Sequence, residues 1–201
     1  NDAKLEPSGE YGSKPTYRMV GDPTEGSILV AAEKAGASVE KLQQAYPRVQ
    51  EIPFDSERKR MLTIHAIKQP VDDDISPFTS ADREKGYIIA VKGAPDIVLG
   101  LCTQRLRLDN DVEPLTEETR QEILAANDAM TKDALRVLGV AYRIVPQMPE
   151  EITPEALEKD LIFAGLIGMI DPARPEVKTA LASAKAAGIR TIMITGDNPN
   201  T

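Results

Sequence analysis

Short runs of β-branched and aliphatic residues, broken at irregular intervals by helical segments, constrain this chain more than any other feature. Val49 to Phe54, Met61 to Lys68, Tyr87 to Lys92 with its Ile-Ile-Ala-Val centre, and Arg136 to Val145 each have the length and composition of a strand. Helix signals lie around them. Asp22 suits an N-cap, Pro23 the first helical position and Glu25 the third, and Gly36 closes that helix. Ser38 to Tyr46 predicts a second helix, and a short one follows Gly93-Ala94-Pro95 as far as Leu101. A longer one from Thr116 to Asp133 sets Ile123, Ala126 and Met130 on one face. Asp109-Asn110-Asp111 predicts a turn between Arg105 to Leu108 and Val112 to Leu115. The first fifteen residues hold Gly, Pro, Ser and Lys without periodicity and read as a loop. Gln69 to Lys85, with Pro70, Asp72-Asp73-Asp74 and Pro77, reads as an exposed connection, and Pro146 to Pro154 as a linker. Irregular alternation of this kind suits an α+β fold, a mainly antiparallel sheet flanked by helices.

The last forty residues differ in character. Leu161 to Ile170 is almost wholly apolar, Pro175 to Gly188 is amphipathic with Val177, Leu181 and Ala184 expected inward, and Ile189 to Thr195 is a second apolar run. Strand, helix and strand with both strands buried predicts a βαβ fragment of a parallel α/β domain. One such unit is not a complete domain. With no initiating Met and an end just beyond that run, the chain is expected to be a piece of something longer.

Composition removes several functions. Against 24 Lys and Arg stand 32 Asp and Glu, a net charge of −8 that repels nucleic acid and anionic lipid unless basic residues cluster. The single cysteine, Cys102, rules out an internal disulfide, and one Cys with one His cannot make an ordinary zinc site without several carboxylates. No apolar run approaches the roughly 18–20 residues that cross a bilayer, and Asn1 to Glu10 has no signal-peptide character. A soluble piece is expected, and 41% apolar residues suffice for a real core.

Several residues could carry chemistry. Thr195-Gly196-Asp197 follows Ile192-Met193-Ile194 at the carboxyl end of a strand, where open α/β sheets bind ligands; a hydroxyl and a carboxylate there could meet a phosphoryl group or its Mg²⁺, or simply form a strand-ending turn. Lys92 closes a strand just before a helix N-terminus, which makes an anion pocket or a solvated strand end. Phe54 is one of three phenylalanines, followed by Asp55-Ser56-Glu57-Arg58-Lys59-Arg60. A purine stacked on its ring would have its phosphates near positive charge; the plainer reading is a core Phe before a charged turn. Glu25 could complete a capping box or accept a hydrogen bond from an adenine amino group. Arg136 opens a strand. Asp72-Asp73-Asp74 and Asp109-Asn110-Asp111 lack calcium-loop spacing and read as solvated turns, and His65 as a structural residue.

Taken in order, these segments resemble the P-type cation-transporting ATPases, most closely the calcium-pump branch. The matching strings are Gly21-Asp22-Pro23-Thr24-Glu25-Gly26, Pro53-Phe54-Asp55-Ser56-Glu57-Arg58-Lys59-Arg60-Met61, Lys92-Gly93-Ala94-Pro95-Asp96, Leu135-Arg136-Val137-Leu138, Met169-Ile170-Asp171-Pro172-Ala173-Arg174 and Thr195-Gly196-Asp197. Six strings in the family's order are specific where any one is weak. The resemblance implies that residues 1–170 are a cytoplasmic nucleotide-binding domain and residues 171–201 a hinge with part of a haloacid-dehalogenase-like phosphorylation domain. It implies that Phe54 stacks on adenine, that Glu25, Lys59, Lys92 and Arg136 line the pocket with Leu138, and that the Gly93 and Ala94 backbone approaches the base. Thr195, Gly196 and Asp197 match the motif near the transferred phosphate and Mg²⁺.

The departures define the expected activity. Many calcium pumps have Arg where this chain has Ser56, which leaves one phosphate contact either missing or supplied by Arg58. The family's Asp-Lys-Thr-Gly-Thr motif, whose Asp accepts the γ-phosphate, is absent from the 201 residues. The expectation is therefore ATP binding without hydrolysis, with Mg²⁺ held mainly by residues elsewhere. The implied partners are the phosphorylation, actuator and transmembrane domains of one parent membrane protein. The piece itself is expected to be a cytoplasmic monomer that binds no nucleic acid. Two other functions compete. A haloacid-dehalogenase-type phosphatase would need an Asp-x-Asp-x-Thr loop, which the sequence lacks; a free-standing nucleotide sensor would need no catalytic group.

Overall fold

The computed structural model describes residues 2–11, 14–68, 70, 76–84, 86–170, 174–192 and 194. In chain order its elements are β1 (Lys4–Tyr11), β2 (Lys14–Val20), α1 (Pro23–Lys34), α2 (Val39–Ala45), β3 (Arg48–Asp55), β4 (Arg60–Ala66), α3 (Ser80–Arg83), β5 (Tyr87–Gly93) and α4 (Pro95–Gly100). There follow β6 (Cys102–Leu106), β7 (Val112–Pro114), α5 (Glu117–Lys132), β8 (Arg136–Val145), α6 (Pro154–Leu157), β9 (Leu161–Met169) and α7 (Pro175–Ala186).

Seven strands form one sheet in the order β3-β4-β5-β8-β9-β6-β7. Every neighbouring pair is antiparallel except β6 and β9. Period-two alternation assigns the faces. Leu62 and Ile64 of β4 lie opposite Val91 and Ile89 of β5, and Val91 lies opposite Ala141 of β8. This face is closed by Val98 and Leu99 of α4, Leu157 of α6, Leu161 and Phe163, with Ile123 and Leu124 of α5 packed against them. On the reverse face Ile88 and Tyr142 meet Ala45 and Tyr46. The Phe78 ring stands edge-on between Tyr46 and Tyr142, 5.5 Å from each centroid. Helices thus cover a mainly antiparallel sheet, as the strand and helix signals imply.

Several details differ from the sequence reading. The opening residues are not a loop but an antiparallel hairpin, β1 with β2. The Gln69–Lys85 connection is not wholly exposed, because Phe78 plugs the second core. On α5 the inward face runs through Thr119, Ile123, Asn127 and Met130, leaving Ala126 exposed. Finally, the run at Leu161 does not begin a separate parallel unit. As β9 it lies between β8 and β6 in the main sheet, with Leu161 and Phe163 in the main core, Ile162 half-buried against the second core and Ala164 exposed. Beyond α7, the described residues 189–192 and 194 carry no strand. Val177 and Leu181 are 38% and 46% exposed instead of inward.

Candidate functional site

Antiparallel pairing collects alternate strand ends at one edge of the sheet. β3 and β5 finish where β4 and β8 begin, so Phe54, Met61, Lys92, Gly93 and the Arg136–Leu138 segment meet at the end of four adjacent strands. They line a cavity of about 540 Å³. Its remaining wall is Asp22, Thr24 and Glu25 at the start of α1, Lys59 in the β3–β4 turn, and Ala94 and Pro95 at the start of α4.

Register decides which side chains can enter. Met61 lies opposite Lys92 and Lys92 opposite Val140, so these three share a face with Leu138 and Arg136 of the same strand. Simple alternation along β3 would place Phe54 with Ile52, which packs on the core. The β3–β4 register shifts between Ile52 and Asp55, and a shift of one residue exchanges the two faces of a strand. Phe54 is thereby turned towards Met61. Pro53 fits in the irregular stretch because β3 is an edge strand, where a missing N–H costs little. The Phe54 ring is 63% exposed, so the alternative of a core Phe is replaced by an aromatic plate open to the cavity.

The β3–β4 turn is held from within and from β5. Asp55 Oδ1 accepts from the Glu57 and Arg58 N–H groups at 3.0 and 2.7 Å, and the Asp55 carbonyl accepts from the Lys59 N–H at 2.7 Å. Lys59 sits at φ 54, a left-handed conformation unusual for a residue with a Cβ. Its carbonyl accepts from the Ala94 N–H at 2.9 Å. Gly93 makes that approach feasible, since a Cβ there would lie 2.5 Å from the Lys59 carbonyl oxygen and 2.8 Å from Arg60 Cα.

Charge is concentrated at Glu25. Asp22 Oδ1 accepts from the Thr24 and Glu25 N–H groups at 2.8 and 3.2 Å, which starts α1 and points Glu25 at the cavity. Glu25 Oε1 accepts from Lys92 Nζ at 2.9 Å and Oε2 from the Asp2 N–H at 2.7 Å. Burial raises the Glu25 pKa, but the hydrogen bonds from Lys92 and Asp2 outweigh it and hold the pKa at about 2. At neutral pH Glu25 is a carboxylate, able to accept hydrogen bonds and not to donate them.

Eight of the residues singled out from sequence, Glu25, Phe54, Lys59, Lys92, Gly93, Ala94, Arg136 and Leu138, line one cavity. Ser56 is exposed in the turn and does not line it. Nor does Arg58, whose Nη2 meets Glu158 Oε1 on the protein side. Thr195, Gly196 and Asp197 lie outside the described residues, as do Asp171 to Ala173 and Asp72 to Asp74. Asp22, Thr24, Met61, Pro95 and Val137 were missed as wall residues, though all five belong to the matching strings. His65 is structural: Nδ1 donates to the Tyr46 carbonyl at 2.9 Å, Nε2 lies 2.9 Å from the Thr63 hydroxyl, and burial lowers its pKa. Among the described residues no three potential ligands converge on a metal position. With Asp22 capping α1 and Glu25 bound to Lys92, the cavity does not form a Mg²⁺ cage.

The fold agrees with what the sequence matches. Residues 1–176 match the family described as P-type ATPase, cytoplasmic domain N, and the chain belongs to that family. More particularly, it is 40% identical to calcium-transporting ATPase 1 of Bacillus cereus, over 91% of this chain and 18% of the relative. Calcium-transporting ATPase 1 of Lactococcus lactis is 39% identical over the whole of this chain and 20% of its own length, and the Bacillus subtilis calcium-transporting ATPase 40% identical over 92% and 19%. The chain spans about a fifth of the length of these relatives. Among the described residues no helix is long and apolar enough to cross a membrane.

Proposed function

We propose that the cavity binds ATP and presents it to the rest of a P-type cation pump. The observation that carries this reading is the exposed Phe54 ring, sharing one cavity with the ionised Glu25 and with Lys59, Lys92 and Arg136. Adenine stacks on Phe54, with Met61 and Leu138 as apolar wall and the Gly93-Ala94 backbone against the base. Glu25 accepts from the 6-amino group of adenine, where guanine has a carbonyl. Lys59 and Arg136, with Lys92 shared with Glu25, offset phosphate charge, while Arg58 is tied to Glu158.

In this reading residues 1–170 are the nucleotide-binding domain and residues 171–201 a hinge and part of the phosphorylation domain, where Thr195, Gly196 and Asp197 act near the phosphate. The phosphoryl acceptor, an Asp of a motif absent from this sequence, belongs to the parent chain. Phosphoryl transfer depends on positioning around a nucleophile, so this chain binds ATP without hydrolysing it. Mg²⁺ ligands likewise lie outside the cavity wall. The names of the relatives support calcium as the ion moved across the membrane by the parent, with this domain on the cytoplasmic side.

Stacking contributes on the order of 1–3 kcal/mol, and with partly solvated charges the total is roughly −4 to −6 kcal/mol, a Kd between about 1 mM and tens of micromolar. Calorimetric titration with ATP tests it. Phe54→Ala is expected to weaken binding about tenfold or more while leaving the melting temperature unchanged, and neither protein should release inorganic phosphate. Parent-like affinity in Phe54→Ala refutes the pocket.

A further inference from the structure

Among the described residues Glu158 is the most deeply buried acid, 5% exposed, and such a carboxylate requires compensating charge. Two guanidiniums supply it. Arg58 reaches Oε1 through Nη2, with its Nε buried and unpartnered among the described residues, while Arg60 reaches Oε2 through both Nε and Nη2 at 2.7 Å. Arg60 Nη1 also donates to the Arg58 carbonyl at 2.9 Å. The residue flanked by these two arginines is Lys59, left-handed and on the cavity wall.

The carboxylate has a firm base. Glu158 ends α6, its N–H bonded to the Pro154 carbonyl at 2.8 Å, and the neighbouring Leu157 and Leu161 are fully buried in the main core. The turn it grips joins the edge strand β3 to β4. A Cβ-bearing residue at positive φ persists where its surroundings over-determine it. Here the hydrogen bond from Ala94 fixes the backbone on one side, and the paired arginines fix it on the other.

We propose that Glu158 is a positioning residue: by drawing Arg58 and Arg60 onto one buried carboxylate it locks Lys59 in the conformation that presents its ammonium to the bound nucleotide. This rests on the ATP reading of the cavity. Glu158 touches no ligand, so its effect passes through the charge of Lys59 and not through the Phe54 plate.

Calorimetric titration of the chain with ATP and with adenosine separates these contributions. Glu158→Gln should weaken ATP about fivefold and leave adenosine within about twofold of the parent, and in a Lys59→Met background it should cost nothing further. Should Glu158→Gln fail to fold, Glu158→Asp, which keeps the charge but shortens the reach, should show the same split. Equal losses for both ligands, no loss for either, or additivity with Lys59→Met overturns the proposal. If Phe54→Ala loses ATP affinity while Glu158→Gln does not, this inference alone fails. If Phe54→Ala binds ATP like the parent, the pocket reading falls and this one with it.

Discussion

Helices α5 and α7 carry comparable amphipathic patterns and meet different fates. α5 lays Ile123 and Leu124 on the main core, and its Arg120 donates to the carbonyls of Leu99 and Cys102 at 2.6 and 3.3 Å. α7 leaves Val177 and Leu181 in solvent, and Ile189, Ile192 and Ile194 beyond it are exposed too. Periodicity prescribes a face, but whether that face is buried depends on what lies opposite. For α5 the sheet and α4 are there, and for α7 no described element closes over it. Among the described residues, α5 is part of a completed core, and α7 is not.

Three measurements test this contrast. Ile123→Ala removes packing from the main core and should cost about 2 kcal/mol in denaturant unfolding; a cost near zero would mean that α5 is held no better than α7. Next in size is the charged link by which α1 is tied to β5. The Glu25 pKa is held at about 2 against 4.5 for the ordinary group, so the Glu25–Lys92 pair stabilises the fold above pH 4.5 and loses that contribution as the pH falls towards 2. The stability gap between parent and Glu25→Gln, about 1 kcal/mol at neutral pH, should close across that window in pH-dependent melts, and a gap independent of pH would remove the ion pair from the account. The smallest effect belongs to Leu181→Ala on α7, expected within about 0.5 kcal/mol of the parent. A larger loss would show that α7 packs on the body.

Much of the body was legible because its signals are local. Asp22 and Pro23 start α1 through backbone groups a few residues away, and the strand runs at Met61, Tyr87 and Arg136 appear with their alternation intact. Phe54 and Lys92 stood out as an aromatic and a cation at strand ends, each with a plain structural alternative, and Lys59 was named through the resemblance of its string. What stayed hidden depends on distant partners. Glu158 is separated from Arg58 by 100 positions, and no local pattern tells a buried acid from a solvated one. Glu25 stayed ambiguous between a capping acid and a pocket acid because its neighbours are those of a cap; the Lys92 ammonium that it binds is 67 positions on. β9 suggested a parallel unit because an all-apolar strand reports burial on two faces without reporting the direction of its neighbours. The β1–β2 hairpin was missed because its Gly, Pro and Ser content hides strands held mainly by each other.

The order of strands also gives the cavity a place in time. Its walls come from residues 22 to 25, 54 to 61, 92 to 95 and 136 to 138, so three walls can be made during synthesis well before the fourth exists. β8 must emerge and pair beside β5 before Arg136 and Leu138 complete the enclosure, and such long-range pairing is slow compared with local helix formation. Under the proposed function, a nucleotide that needs every wall gives no help to these early steps and stabilises the domain only after closure, so that ligand protection would mark finished chains.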